Sequence, residues 1–237
     1  MRTTIFILFL LSFNFSMRQS GLPQLKPVIG YTPDLSEEAQ ANLKYRDLLL
    51  SKDELSSSER AELEKLLEKH SEVQASVWDV IDGECSWYCG GGPYKITASS
   101  QLGSNYKASN IHDFSFKCAW VEGIKGGGIG EYIEYVFKNE SPRINEIDIF
   151  NGYLKNDSSW KNNSRVKKLK LIINGKPYAI LNLRDSKSLQ TFKMPLLGRR
   201  KDKEDLILRF EIVEVYPGDK YEDTALTEIF FDGIDVH

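Results

Sequence analysis

Cysteine, histidine and methionine occur only three times each in 237 residues. Three cysteines, Cys85, Cys89 and Cys118, are too few for a disulfide scaffold, and three histidines leave little from which to build a metal cluster or a catalytic relay. Neither sign of charge dominates. The 31 Lys plus Arg stand against 34 Asp plus Glu, a net charge of −3 spread along the chain, which removes the electrostatic case for a nucleic-acid partner. Beyond the N-terminus there is no apolar run approaching the roughly 20 residues that a spanning helix needs. What is present, 41% hydrophobic and 27% charged residues with 17 Gly and 8 Pro, excludes a disordered, collagen-like or coiled-coil chain and suits a packed core.

Met1 and Arg2 precede an apolar run over residues 5–11, the length of a signal-peptide core. Residues 1–20 therefore read as a secretory signal, with Ser16 or Ser20 as small residues near the cleavage point and no cysteine there to accept a lipid. The mature chain is expected to be secreted or periplasmic, with no stable membrane span after signal removal. A disulfide persists in that setting. The short spacing of Cys85 and Cys89 reads as a disulfide-closed aromatic turn worth about 2 kcal/mol. A zinc site from Cys85, Cys89, His112 and Cys118 is the weaker alternative, because the spacing fits no recognised ligand pattern.

Residues 21–77 read as a helical N-terminal region or linker. Residues 34–77 contain no Gly or Pro, and Ser56 with Glu59 has the spacing of a capping box. Leu63, Leu66, Leu67, His70 and Val73 then fall on one helical face. From Trp78 the period changes to two. Ile133, Tyr135 and Phe137 share one face, as do Leu206, Leu208, Phe210 and Ile212, and turns such as Asn151-Gly152 separate the runs. Residues 78–237 are thus expected to form a mainly β domain, an antiparallel β-sandwich of jelly-roll type, behind a short α-helical segment.

Chemistry-bearing motifs are sparse. The glycine-rich stretch 123–130 lacks the glycine spacing of a dinucleotide fingerprint and leads into a strand, so its glycines read as positive-φ positions in a sharp connection. His112 is the one loop-borne histidine and has no nucleophile motif beside it, which argues against an enzyme. Residues 155–170 carry six bases against Asp157, a pattern that suits a solvated strand edge or a patch for an acidic ligand. Trp87, Tyr88, Tyr153 and Trp160 lie beside Gly, Asn, Ser or Lys, the company in which aromatic faces recognise sugars; Trp120 reads as core.

Seven motifs occur in order: Ala98-Ser-Ser-Gln-Leu102, Asn110-Ile-His-Asp113, Ala119-Trp-Val-Glu-Gly123, Gly128-Ile-Gly-Glu131, Asn151-Gly-Tyr-Leu-Lys155, Asn163-Ser-Arg-Val-Lys-Lys168, and Val215 to Thr224 with Thr227-Glu-Ile229. Together they resemble the glycan-binding (translocation) domain associated with bacterial NAD glycohydrolases, a relative of the discoidin and galactose-binding jelly rolls. The resemblance implies a galactose-binding-domain-like fold over about residues 93–233. It also implies a non-catalytic carbohydrate-binding module of an exported bacterial protein whose partner is a glycan or glycoconjugate. A protein-interaction or adhesin-type sandwich is the competing class, and an accessory to toxin translocation ranks below both.

Discoidin-like modules often hold a structural calcium. Asn110, Asp113, Ala119, Trp120 and Glu228 match that loop pattern, whereas Phe114 stands where glycine is usual and Cys118 where threonine is usual. Calcium on Asn110, Asp113 and Glu228 is the expected cofactor, if any, although Cys118 suits a hard cation poorly. Glycan contacts are expected from Trp87, His112, Tyr153, Lys155, Asn162 and Arg165. For His112 two readings stand: a sugar contact, or a pin that fixes its loop by bonding a backbone carbonyl.

Overall fold

A computed structural model describes residues 21–69, 76–81, 86–199 and 202–236. The expected signal segment, His70, Val73 and Cys85 lie outside the described residues. In chain order the elements are β1 (Gln24–Leu25), β2 (Val28–Ile29), α1 (Glu37–Leu50), α2 (Ser57–Lys69), α3 (Val77–Val80) and β3 (Lys95–Ala98). Next come β4 (Trp120–Val121), β5 (Tyr132–Phe137), β6 (Arg143–Asn151), α4 (Asp157–Asn162), β7 (Ser164–Ile173) and β8 (Lys176–Asn182). The chain closes with β9 (Gln190–Leu197), β10 (Leu206–Tyr216) and β11 (Thr224–Ile234).

The helical segment forms where the sequence predicts it, for local reasons. Ser36 caps α1 by accepting from the Ala39 N–H. The capping box of α2 is reciprocal: Ser56 N–H donates to Glu59 (2.9 Å), and Glu59 N–H donates to Ser56 Oγ (3.3 Å). Ahead of these helices, β1 pairs with β8 and β2 with β9, so the start of the expected helical region adds two short strands to the sheet.

The strands make a sandwich. One layer runs β2-β9-β6-β11 and the other β8-β7-β10-β5-β3. They join where the start of β11 runs parallel to β7 at Thr224 and Ala225. The alternation read from the sequence is the core. Ile133, Tyr135 and Phe137 of β5 and Leu208, Phe210 and Ile212 of β10 are buried, facing Ile147 and Ile149 of β6 and Phe231 of β11. Tyr135 and Phe137 meet Phe231 edge-on across the layers, each at 5.0 Å. The three lysines of β7 in the basic run form a strand surface neutralised across β7 and β10. Lys167 and Lys168 both reach Glu214 at 2.5 Å, and Lys170 pairs with Glu211.

The glycine-rich connection has the predicted backbone: Gly126, Gly128 and Gly130 all have positive φ. At Gly128 a Cβ would also lie 2.4 Å from Glu122 Cγ, so the loop closes over the buried Glu122. Residues 87–89, expected in an aromatic turn, form a single 3-10 turn. Among the described residues Cys89 and Cys118 are free thiols.

Candidate functional site

The turn after β6 fixes one end of the sandwich. The Asn151 amide bridges to β7, donating to Val166 O (2.7 Å) and accepting from Val166 N–H (3.0 Å). Gly152 follows at φ +82°, where a Cβ would sit 2.8 Å from the Trp160 ring. Its carbonyl accepts from Thr227 Oγ1, which in turn accepts from Leu154 N–H. These ties hold the half-buried Tyr153 and the exposed Lys155 on either side of the buried Leu154. The short helix α4 is capped by Asn156, which accepts from Ser159 N–H at 2.7 Å. Its C-terminal carbonyls are held by the Arg165 guanidinium, and the loop before β11 docks there as Tyr221 N–H donates to Asn162 O (2.8 Å).

These elements enclose a pocket of about 350 Å³. Tyr106, Tyr153 and Tyr221 provide aromatic rings, Ser158, Ser159, Asn162 and Asn163 provide hydroxyls and amides, and Lys155 and Asp223 provide one charge of each sign. Tyr106 and Tyr153 meet edge-on at 6.1 Å, and the Tyr153 hydroxyl donates to Lys117 O (3.3 Å). Burial, then the neighbouring Tyr106, raises the Tyr153 pKa, so its hydroxyl stays protonated at neutral pH. Aromatic carbon beside amides and hydroxyls satisfies a ligand with apolar C–H faces and many hydroxyls.

Three of the six residues expected to contact a glycan, Tyr153, Lys155 and Asn162, line this pocket. The other three, Trp87, His112 and Arg165, lie outside its lining and are engaged by protein groups. Trp87 is 2% exposed, packed on Tyr88 and Phe137 in the core. Arg165 is buried in a two-pronged pair with Asp185 (2.7 and 3.1 Å) and stacked on Trp160, so its donors are taken by protein groups. The His112 side chain is 8% exposed, and its Nδ1–H donates to Ile229 O at 2.9 Å, the geometry that the loop-pin reading requires. Burial lowers its pKa to about 4, so the ring is neutral at physiological pH. Tyr106, Tyr221 and Asp223 were not singled out from sequence, although the last two lie within the motif from Val215 to Thr224.

The loop expected to hold calcium lies beside His112. Phe114 takes φ +57°, the left-handed backbone that the usual glycine would supply. Its N–H donates to Glu228 Oε2 (2.9 Å), while Glu228 Oε1 is buried with no hydrogen-bond partner and lies 3.5 Å from His112 Nδ1, whose proton goes to Ile229 O. Burial, then the charge of Asp113, pushes the Glu228 carboxyl well above the usual range. An orphaned carboxylate oxygen near a second carboxylate suits a hard cation. Asn110 donates from its amide to Asn105 O and Ala119 O, which sets the curvature of the loop. Among the described residues no group of three His, Cys, Asp or Glu side chains is gathered as a metal cluster.

A β-sandwich with a polar, tyrosine-lined pocket built by loops at one end defines a discoidin-like module. Residues 87–232 match the model of the NAD glycohydrolase translocation F5/8 type C domain, and the chain belongs to that family. No curated protein matches the chain. Among solved structures, it is similar to a CBM32 module from Clostridium perfringens solved with GalNAc-β-1,3-galactose: 16% identity, TM-score 0.42, covering 59% of this chain and 94% of that one. It is also similar to the family 32 module of C. perfringens NanJ solved with galactose: 14% identity, TM-score 0.41, covering 58% and 91%. Against the two CBM32 domains of C. perfringens ZmpB solved with GalNAc, the values are 11% identity and TM-score 0.43, with 62% of this chain and 34% of that one covered.

Proposed function

We propose that this chain is a non-catalytic glycan-binding module of an exported protein, and that its site is the pocket between Tyr106, Tyr153, Asn162 and Tyr221. The observation that carries this reading is the pocket's composition: three tyrosines against a wall of serine and asparagine, with Lys155 and Asp223 to orient hydroxyls. The small exposure of the His112 side chain, 8%, supports a binding role over acid–base catalysis. Export is supported by the apolar run near the N-terminus, and no helix among the described residues is long and apolar enough to cross a membrane. On export, Cys85 and Cys89 are proposed to form a bridge, leaving Cys118 free. A calcium ion, where bound, is proposed to be held by Asp113 and Glu228 with backbone carbonyls of the loop that Asn110 shapes. The test is a glycan array followed by calorimetry on the Tyr106→Ala, Tyr153→Ala variant. Saturable sugar binding that falls at least about tenfold in a folded variant supports the site, the two lost stacking faces being worth on the order of 1–3 kcal/mol. An array without saturable binding, or unchanged affinity in the variant, refutes it.

A further inference from the structure

The tyrosine pocket does not end at Lys155. That residue also lines a second groove, of about 360 Å³, whose other walls include Glu37 and Gln40 of α1 and Lys117. Gln40 and Lys117 in turn line a third groove, of about 370 Å³, which runs along α1 past Lys44 and Asp47. Both added grooves depend on α1, which lies outside the family match at residues 87–232. The join is anchored. Leu35, just ahead of α1, is buried in one cluster with Phe116, Phe150 and Leu154, the last of these next to Tyr153 and Lys155. The Tyr153 hydroxyl is tied to the Lys117 carbonyl. Three adjoining spaces of similar size, the first suited to a sugar, fit linked units better than a single one.

Charge gives the chemistry of the added unit. Among the described residues Lys44, Lys117 and Lys155 have no carboxylate within ion-pair distance. Two acids share these walls, Glu37 and Asp47, and Asp47 is engaged by Arg46 at 2.9 Å. The lysines of β7, by contrast, are neutralised by Glu214 and Glu211. Three ammonium groups facing a nearly balanced wall favour an anion.

We infer that the ligand is an oligosaccharide bearing an anionic unit, a carboxylate or a sulfate ester, held between Lys117, Lys155 and helix α1 while a neutral unit occupies the tyrosine pocket. This rests on the glycan-binding reading above. The test is calorimetry on the full chain with one neutral oligosaccharide and its carboxylated and sulfated counterparts. The expected result is roughly three- to tenfold tighter binding of a charged form, diminishing as salt rises from about 0.05 to about 0.5 M. The arm that gains identifies the anion. In a Lys44→Gln, Lys117→Gln variant, which keeps only Lys155 of the three, the charged-to-neutral affinity ratio should fall toward one, whereas Lys176→Gln, outside these grooves, should leave it unchanged. Equal affinities in the native chain, or a preference that survives in the double variant, overturn the inference while the tyrosine pocket stands. If no saccharide of either kind binds, the underlying reading fails and this one falls with it.

Discussion

Replacing His112 with alanine separates a loop pin from a ligand contact. In the structure the imidazole packs among Tyr88, Phe114, Tyr135 and Phe231, at 5.4, 4.8, 5.7 and 6.1 Å between ring centres. Removing it forfeits one hydrogen bond, worth about 1 kcal/mol, and leaves a cavity lined by those rings. The Ile229 carbonyl is not orphaned, because the Tyr135 hydroxyl still donates to it at 3.1 Å. Large buried rings cost ~3–5 kcal/mol on truncation to alanine, and the smaller imidazole with one bond lost should cost ~2–4 kcal/mol. At roughly 2–4 °C per kcal/mol for a domain of this size, the melting temperature should drop by about 5–15 °C. The assays are urea unfolding and calorimetry with a glycan taken from the array, at a temperature where the variant is folded. Affinity should stay within about twofold of the native value, since His112 does not line the pocket. A variant as stable as the native protein that binds at least about tenfold more weakly would refute the pin.

Asp148 is buried, and that burial lifts its carboxyl to about 7 although Thr191 donates to it. Its folded pKa is raised, so the folded state keeps a proton that the unfolded state has already released between about pH 4 and 7, and stability falls as pH rises through that window. Asp148→Asn, which can still accept from Thr191, should be more stable than the native protein at pH 8 by ~1–3 kcal/mol, below an upper bound of ~4 kcal/mol. The two should converge near pH 4. Denaturant midpoints across pH measure this, and parallel curves would count against the buried charge. Thiol titration of the denatured, unreduced exported protein should find one free cysteine, Cys118, whereas a count of three would exclude the Cys85 to Cys89 bridge. If calcium is held by Asp113 and Glu228, excess chelator should lower the melting temperature by mass action, and Glu228→Gln should abolish the difference. An unchanged transition with no metal in the purified protein would eliminate the site.

What the sequence determined by itself is what neighbouring residues decide. The capping box of Ser56 and Glu59 closes within one turn, and the alternation in β5 and β10 names the buried face because successive strand side chains point to opposite sides. Asn151-Gly152 marks a sharp turn, and this was enough to place Tyr153 and Lys155 beside the pocket. Tertiary structure decided which polar-loop residues turn inward. Trp87, His112 and Arg165 have the same local company as Tyr153, yet their burial depends on Phe137, on Ile229 and on Asp185, brought close by strand pairing. Tyr106 and Tyr221 become pocket walls only when the loops ahead of β4 and β11 meet at the end of the sandwich. A side chain's own neighbours in sequence set its backbone, but its exposure depends on distant surface that covers it, and no local pattern carries that information.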